Sequence, residues 1–188
     1  NVEQWVPAWD GAAYAANTAH HRAFDDAFLA TTPVRPGDRV LDLGCGSGDL
    51  TAHLAELVGP EGEVVGVDAQ PSMLDEARRR AQPNQRFVLA PVQELDGVLG
   101  PEHDASFDLV VSRAVLHWVP VADQTGVYRS AARLLRRGGH LRVECGGVGN
   151  VAGAVALLND VSASFDGPSD PWTFADPAAA LDWVEQAG

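Results

Sequence analysis

Val40-Leu41-Asp42-Leu43-Gly44-Cys45-Gly46-Ser47-Gly48 is the stretch on which the fold turns. A short apolar run leads straight into three glycines at alternate positions. Beyond them Leu50, Leu54, Leu57 and Val58 recur at helical spacing, which predicts a helix over 49–58. Glycines directly after a strand let the backbone turn sharply and come close to a ligand. The helix that starts there turns its unpaired N–H groups toward the same ligand. Asp68 follows Asp42 by 26 positions, at the end of the next apolar run, Val64-Val65-Gly66-Val67. An acid so placed can accept both hydroxyls of a ribose. A dinucleotide fingerprint, G-x-G-x-x-G, would need its last glycine at Asp49 or Thr51, so neither frame works. A P-loop would need Lys followed by Ser or Thr, and this loop has neither pair. The observed pattern is Asp-x-Gly-x-Gly-x-Gly.

Outward from this loop, apolar runs alternate with helical patterns. Gly59-Pro60-Glu61-Gly62 ends the first helix. Pro71 opens a second, with Met73, Leu74, Ala77 and Ala81 on it, that stops before Pro83. Phe87 to Ala90 and Phe107 to Val111 read as the third and fourth strands. A helix is predicted from about Asp123 to Arg136, capped by Gly138-Gly139, and His140 to Cys145 reads as the fifth strand. Strands alternating with helices predict a doubly wound α/β fold, its mainly parallel sheet covered on both faces. Continuous apolar strands suit burial on both sides. Residues 1–36 read as helical, with Trp5, Trp9, Tyr14, Phe24, Phe28 and Leu29 as apolar contacts. Residues 146–175 are Gly- and Ala-rich, then polar, and end in Pro171-Trp172-Thr173-Phe174. Asp176 is placed to cap a last helix from Pro177 to about Gln186.

A chain of 188 residues favours one domain, and one this long buries roughly 70% of its unfolded surface without staples. No apolar run approaches the roughly 20 residues of a membrane span, and no signal peptide is visible, so a cytoplasmic protein is expected. Net charge is −13, which repels a nucleic-acid backbone. The densest basic stretches, Arg78-Arg79-Arg80 and Arg133 with Arg136-Arg137, read as solvated helix ends, where cations suit the dipole. Cys45 and Cys145 form neither a disulfide framework nor a metal cluster.

Four segments, in order, resemble the motifs of class I S-adenosylmethionine-dependent methyltransferases. Residues 40–48 look like the first motif and Val64 to Leu74 like the second. Phe107 to Ser112 looks like the fourth, and Leu134 to Gly139 like the turn before the fifth strand. The resemblance covers about residues 36–145 and implies a Rossmann-like sheet with S-adenosyl-L-methionine as cofactor. By that resemblance, backbone around Gly44, Cys45 and Gly46 faces the methionine part, and Asp42 helps hold its amino group, directly or through water. Asp68 binds the ribose with Ala69 beside it, Met73 packs on the adenine, and Ser112 and Tyr14 are further contacts. Taken singly, Met73 also reads as core, Asp42 as a turn former and Asp68 as a helix cap. The family often has an acid after the third strand that reaches the adenine amino group. Pro91 stands there instead, which leaves the contact to the Val92 N–H and the Gln93 side chain.

The methyl leaves a sulfonium, so the cofactor brings the reactivity and the protein supplies alignment. Ser112-Arg113-Ala114-Val115-Leu116-His117-Trp118-Val119 follows the fourth strand, where ligands sit in such sheets. Leu-His-Trp and the later Pro171-Trp172 resemble the trans-aconitate and malonyl-thioester carboxyl methyltransferase-like subgroup. Arg113 is then a candidate carboxylate clamp, or it pairs with a surface acid. His117 is a candidate base, a ring contact to the cofactor, or a structural histidine. Trp118 reads as core. His20, His21 and Arg22 read as exposed helix surface. The Asn/Asp-Pro-Pro-aromatic run of nucleic-acid amino methyltransferases is missing, as is the acid cluster of a metal-dependent catechol type. The expectation is methyl transfer to a small molecule, with O-methylation of a carboxylate ahead of C- or N-methylation. A non-catalytic cofactor-binding protein and a nicotinamide-dependent oxidoreductase are the rivals.

The expected layout is a helical cap over 1–36, a cofactor-binding core over 37–145, and a lid-like segment with the last helix over 146–188. The family's sheet ends in an antiparallel hairpin, and this sequence stops about where one would begin, so a missing C-terminal segment is expected. Asn1 in place of Met raises the same expectation at the start. Without the hairpin, the fifth strand is an exposed edge. Oligomeric state is not legible.

Overall fold

The computed structural model describes residues 10–17, 21–153, 156 and 172–188, leaving out the side chains of residues 21–23. Trp5, Trp9, His20 and Pro171 lie outside the described residues, as do the side chains of His21 and Arg22.

Five strands form one parallel sheet: β1 (Arg39–Leu43), β2 (Glu63–Asp68), β3 (Gln85–Leu89), β4 (Phe107–Arg113) and β5 (Leu135–Glu144). Their order is β3-β2-β1-β4-β5. Chain order therefore reverses at β1, where β2 and β4 flank it, and a ligand crevice opens at such a switch point. The helices described in full are α1 (Gly11–Asn17), α2 (His21–Ala30), α3 (Asp49–Val58), α4 (Pro71–Arg79), α5 (Leu95–Val98), α6 (Val121–Leu134) and α7 (Pro177–Ala187).

The β1 and β4 side chains alternate between two cores. Val40, Leu109 and Val111 pack beneath Leu50, Leu54 and Val58 of α3 and Phe28 of α2. Leu41, Leu43 and Val110 pack against Val127, Ala131 and Leu134 of α6, with Trp183 of α7 behind them. α1 lies so close to the start of α4 that a Cβ on Gly11 would stand 2.2 Å from the Ser72 carbonyl oxygen. The Asp176 side chain accepts a hydrogen bond from the Ala179 N–H at 2.9 Å and caps α7 as the sequence predicts.

Two readings are corrected. Gly138-Gly139 does not cap α6. That helix ends at Leu134, because Leu135 turns extended and pairs with Phe107 at the start of β5. The register then jumps to His140 opposite Leu109, and Gly138, at φ +78°, lets the extra residues bulge out. The basic stretches lie at helix ends only in part: Arg78 and Arg79 are in the last turn of α4 and Arg133 in that of α6, whereas Arg136 and Arg137 belong to β5. Arg136 ion-pairs Asp108, and Arg133 pairs Asp96 and Asp104. Arg80 reaches back to the glycine loop, donating to the Ser47 carbonyl at 2.7 Å and to Asp49 at 3.0 Å.

Phe28 is 1% exposed and holds α2 to the sheet. Phe28→Ala should lower unfolding stability by about 3–5 kcal/mol, read from urea denaturation curves. A loss below about 1 kcal/mol would show that α2 is not part of the cooperative core.

Candidate functional site

The loop after β1 is built from three glycines with different tasks. Gly44, at φ +73°, packs so tightly that a Cβ would lie 2.2 Å from a Val115 methyl. Gly48, at φ +82°, begins α3 and would clash with Ala77 at 2.9 Å. Gly46, at φ +54°, has nothing within 4 Å of its would-be Cβ. The first and third glycines are thus packing requirements, and the middle one opens onto free space. Cys45 is buried with its sulfur 2.8 Å from where a Gly66 Cβ would stand, and burial pushes its thiol up.

Asp68 ends β2 facing this loop. Its carboxylate accepts from the Gly46 N–H at 2.9 Å and the Gln70 N–H at 2.8 Å. Burial raises its pKa, and those two N–H groups pull it back. Ala69 beside it is exposed, whereas Met73 is buried on α4. Pro91 leads a 3-10 turn at Val92–Glu94 in which Val92 is buried and Gln93 exposed. Tyr14 of α1 is half-buried, and burial pushes its hydroxyl up. Arg113 opposes that shift while Asp49, Asp68 and Asp25 add to it, so the phenol stands within the field of all four.

Asp42 lies deeper than the sequence reading places it. It is 1% exposed and accepts a 2.7 Å hydrogen bond from the Thr51 hydroxyl of α3. Burial raises its pKa to about 7, against the pull of Thr51 and Arg113. Ser112 is also fully buried, and its hydroxyl donates to the Leu43 carbonyl at 3.2 Å, so only its backbone is left for a ligand.

Arg113 pairs with an acid, as one of the two sequence readings has it, but a buried one. Its guanidinium ion-pairs Asp25 of α2, a residue 0% exposed that also lies 3.5 Å from His53. A fork so held is not a ready clamp for a substrate carboxylate. Sequence reasoning missed Asp25, although its spacing to Phe28 and Thr32 marked an acid on a buried helical face.

His117 sits in the 3-10 turn Leu116–Trp118. Its Nδ1 accepts from the Gly146 N–H at 3.2 Å, which assigns the proton to Nε2. Its carbonyl accepts from the Thr173 N–H at 2.6 Å, and its ring packs on Trp118 and Phe174. Burial pushes its pKa down. With the Nδ1 lone pair occupied and Nε2 protonated, the ring clamps two segments and has no site left to take a proton. Beyond it opens a cavity of about 740 Å³, lined by Val121, Val148, Trp172, Phe174 and Trp183 among others. Asp176 is the one charged residue in its described lining. Among the described residues no cluster of acids, histidines or cysteines could hold a metal, and no helix is long and apolar enough to cross a membrane.

A methyltransferase domain family model matches residues 40–139. The chain is 40% identical over 115 residues to trans-aconitate 2-methyltransferase of Deinococcus radiodurans, covering 61% of this chain and 40% of that enzyme. An uncharacterized methyltransferase of Schizosaccharomyces pombe is 30% identical over 96% of this chain and 70% of its own length. An S-adenosylmethionine-dependent methyltransferase structure from Aquifex aeolicus shares the fold, with TM-score 0.70 at 16% identity over 96% of this chain and 88% of that one. The chain thus spans well under half of the first relative and over two thirds of the second.

Asp42 titrates near 3.8 when unfolded and near 7 when folded, so the folded state binds its proton more tightly. Ionisation then costs stability between these values, and the cost stays constant above about pH 7. Asp42→Asn should therefore be more stable than wild type by up to about 4 kcal/mol at about pH 8, at about 1.4 kcal/mol for each pH unit between the two values. That gain should fade toward pH 4 in urea denaturation run across the range. A gain independent of pH would refute the buried charge.

Proposed function

This chain belongs to the methyltransferase domain family, and on that premise we propose that it transfers the methyl group of S-adenosyl-L-methionine to a small molecule, leaving S-adenosyl-L-homocysteine. The observation that carries the reading is the open face of Gly46 opposite the Asp68 carboxylate, at the switch point of a parallel sheet. In this reading the backbone of Gly44, Cys45 and Gly46 lies along the methionine part and Asp42 serves its amino group from below. Asp68, beside Ala69, exchanges its bond to Gly46 for the ribose hydroxyls. Met73, Val92 and Gln93 border the adenine, and Tyr14 brings α1 over the site as a cap.

The acceptor's body lies in the cavity beyond His117. O-methylation of a carboxylate is favoured there because a carboxylate is already a nucleophile, and neither His117 nor Arg113 is set up as a base. C- or N-methylation would have to bring its own deprotonated atom or recruit another base. Cys45 and Cys145 are both free, consistent with work in the cytoplasm.

Calorimetric titration with S-adenosyl-L-homocysteine tests the core of this reading. Wild type should bind, and Asp68→Ala should bind at least about tenfold more weakly, a loss of about 1.4 kcal/mol. Equal binding by both proteins would remove Asp68 as the ribose anchor. Binding of a nicotinamide dinucleotide but not of the homocysteine compound would overturn the assignment.

A further inference from the structure

The sheet face beneath α2 and α3 carries more charge than its packing needs. Strands paired in register present their side chains on a common face. Val40 and Asp42 of β1 therefore share one face with Val64, Gly66 and Asp68 of β2 and with Leu109, Val111 and Arg113 of β4. Asp42 stands level with Gly66 on one side and Val111 on the other. One pleat further toward the carboxyl ends come Asp68 on the β2 side and Arg113 on the β4 side. α2 adds the fully buried Asp25 against Arg113, and α3 adds the Thr51 hydroxyl against Asp42. The Cys45 thiol of the loop completes the surroundings of Asp42, and His53 stands beyond Asp25. Two carboxylates, those of Asp25 and Asp42, thus lie in the field of one guanidinium, and the Asp68 carboxylate adds a third negative charge near Asp42.

We propose that Arg113 is a positioning residue for cofactor binding: held by Asp25 one pleat beyond Asp42, its guanidinium is the counter-charge that lets the buried Asp42 stand as a carboxylate and so hold the cofactor's amino group. The inference rests on the cofactor reading above, through Asp42. At this depth water does not stabilise the charge, and Thr51 supplies a single hydrogen bond. Asp68 and Asp25 both disfavour ionisation. Arg113 favours it, and a guanidinium does not titrate away. The ion pair with Asp25 fixes where that charge stands, in the way a buried partner orients a ligating group. Without Arg113, Asp42 faces two like charges, and its pKa climbs further above about 7. A protonated Asp42 then has no charge to offer an ammonium group.

The test is calorimetric titration of S-adenosyl-L-homocysteine against wild type, Arg113→Gln and Arg113→Lys at about pH 6.5 and about pH 8.5. Arg113→Gln should bind roughly tenfold more weakly than wild type at the lower pH and within about twofold at the higher, where Asp42 ionises unaided. Arg113→Lys keeps the charge and should follow wild type at both. The ligand's own amino group titrates equally against all three proteins and cancels in the ratios. A penalty of the same size at both pH values, shared by Arg113→Lys, would overturn the proposal in favour of a purely structural role. Equal binding by all three proteins would overturn it as well. Should Arg113→Gln fail to fold with Asp25 left unpaired, the double variant Asp25→Asn/Arg113→Gln removes both charges. It keeps the direction of the expected pH dependence at a smaller size, because Arg113 weighs more on Asp42 than Asp25 does and the two act in opposite senses. A wild type that binds no ligand at either pH would instead defeat the cofactor reading itself.

Discussion

Contact between Gly44 and Val115 joins the two halves of the crevice. The loop after β1 and the segment after β4 approach so closely that any side chain at position 44 would occupy the space of the Val115 methyls. From Val115 the chain runs through Leu116 to His117, which binds Gly146 with its ring and Thr173 with its carbonyl. One absent Cβ therefore sets the distance between the glycine loop and the wall of the neighbouring cavity. Gly48 repeats the device toward α4, where Ala77 is the limiting neighbour. Only Gly46 is left to face the opening.

Charge is arranged around this contact at a cost to the fold. A carboxylate as deep as Asp42 favours its neutral form, and a core of similar shape without it would be more stable. Its neighbours show why it is tolerable. Thr51 donates a hydrogen bond, and Arg113, anchored on Asp25, brings a permanent positive charge to the same face. The anchor comes from α2, outside the alternating β–α core, so an N-terminal helix takes part in the electrostatics around Asp42. Tyr14 lies in the same field. A cofactor carrying a sulfonium and an ammonium suits a crevice with surplus negative charge.

What could be read along the chain was what depends on neighbours within a few residues. The apolar runs, the helical spacing over 49–58 and the Asp176 cap are local patterns, and the elements follow them. The glycine order in this loop matches neither the dinucleotide fingerprint nor the P-loop. The α6–β5 boundary was misread because paired glycines after a helix look like a cap, whereas Leu135 gains more by pairing with Phe107 of a distant strand.

The sequence by itself determined the alternation of strands and helices, the glycine loop and the acid that follows it, because each is written in adjacent residues and in periods of two or 3.6. Only the tertiary structure decided what the polar side chains are bonded to. Arg113 meets Asp25 because strand register puts it on the face that α2 covers. The ring of His117 meets Gly146, 29 residues away, because β5 ends beside the turn after β4. Ser112 meets the Leu43 carbonyl, and Asp42 the Thr51 hydroxyl, for the same reason. A side chain's donors and acceptors carry no record of distant partners. Packing brings those partners within reach, and burial makes each such pairing necessary.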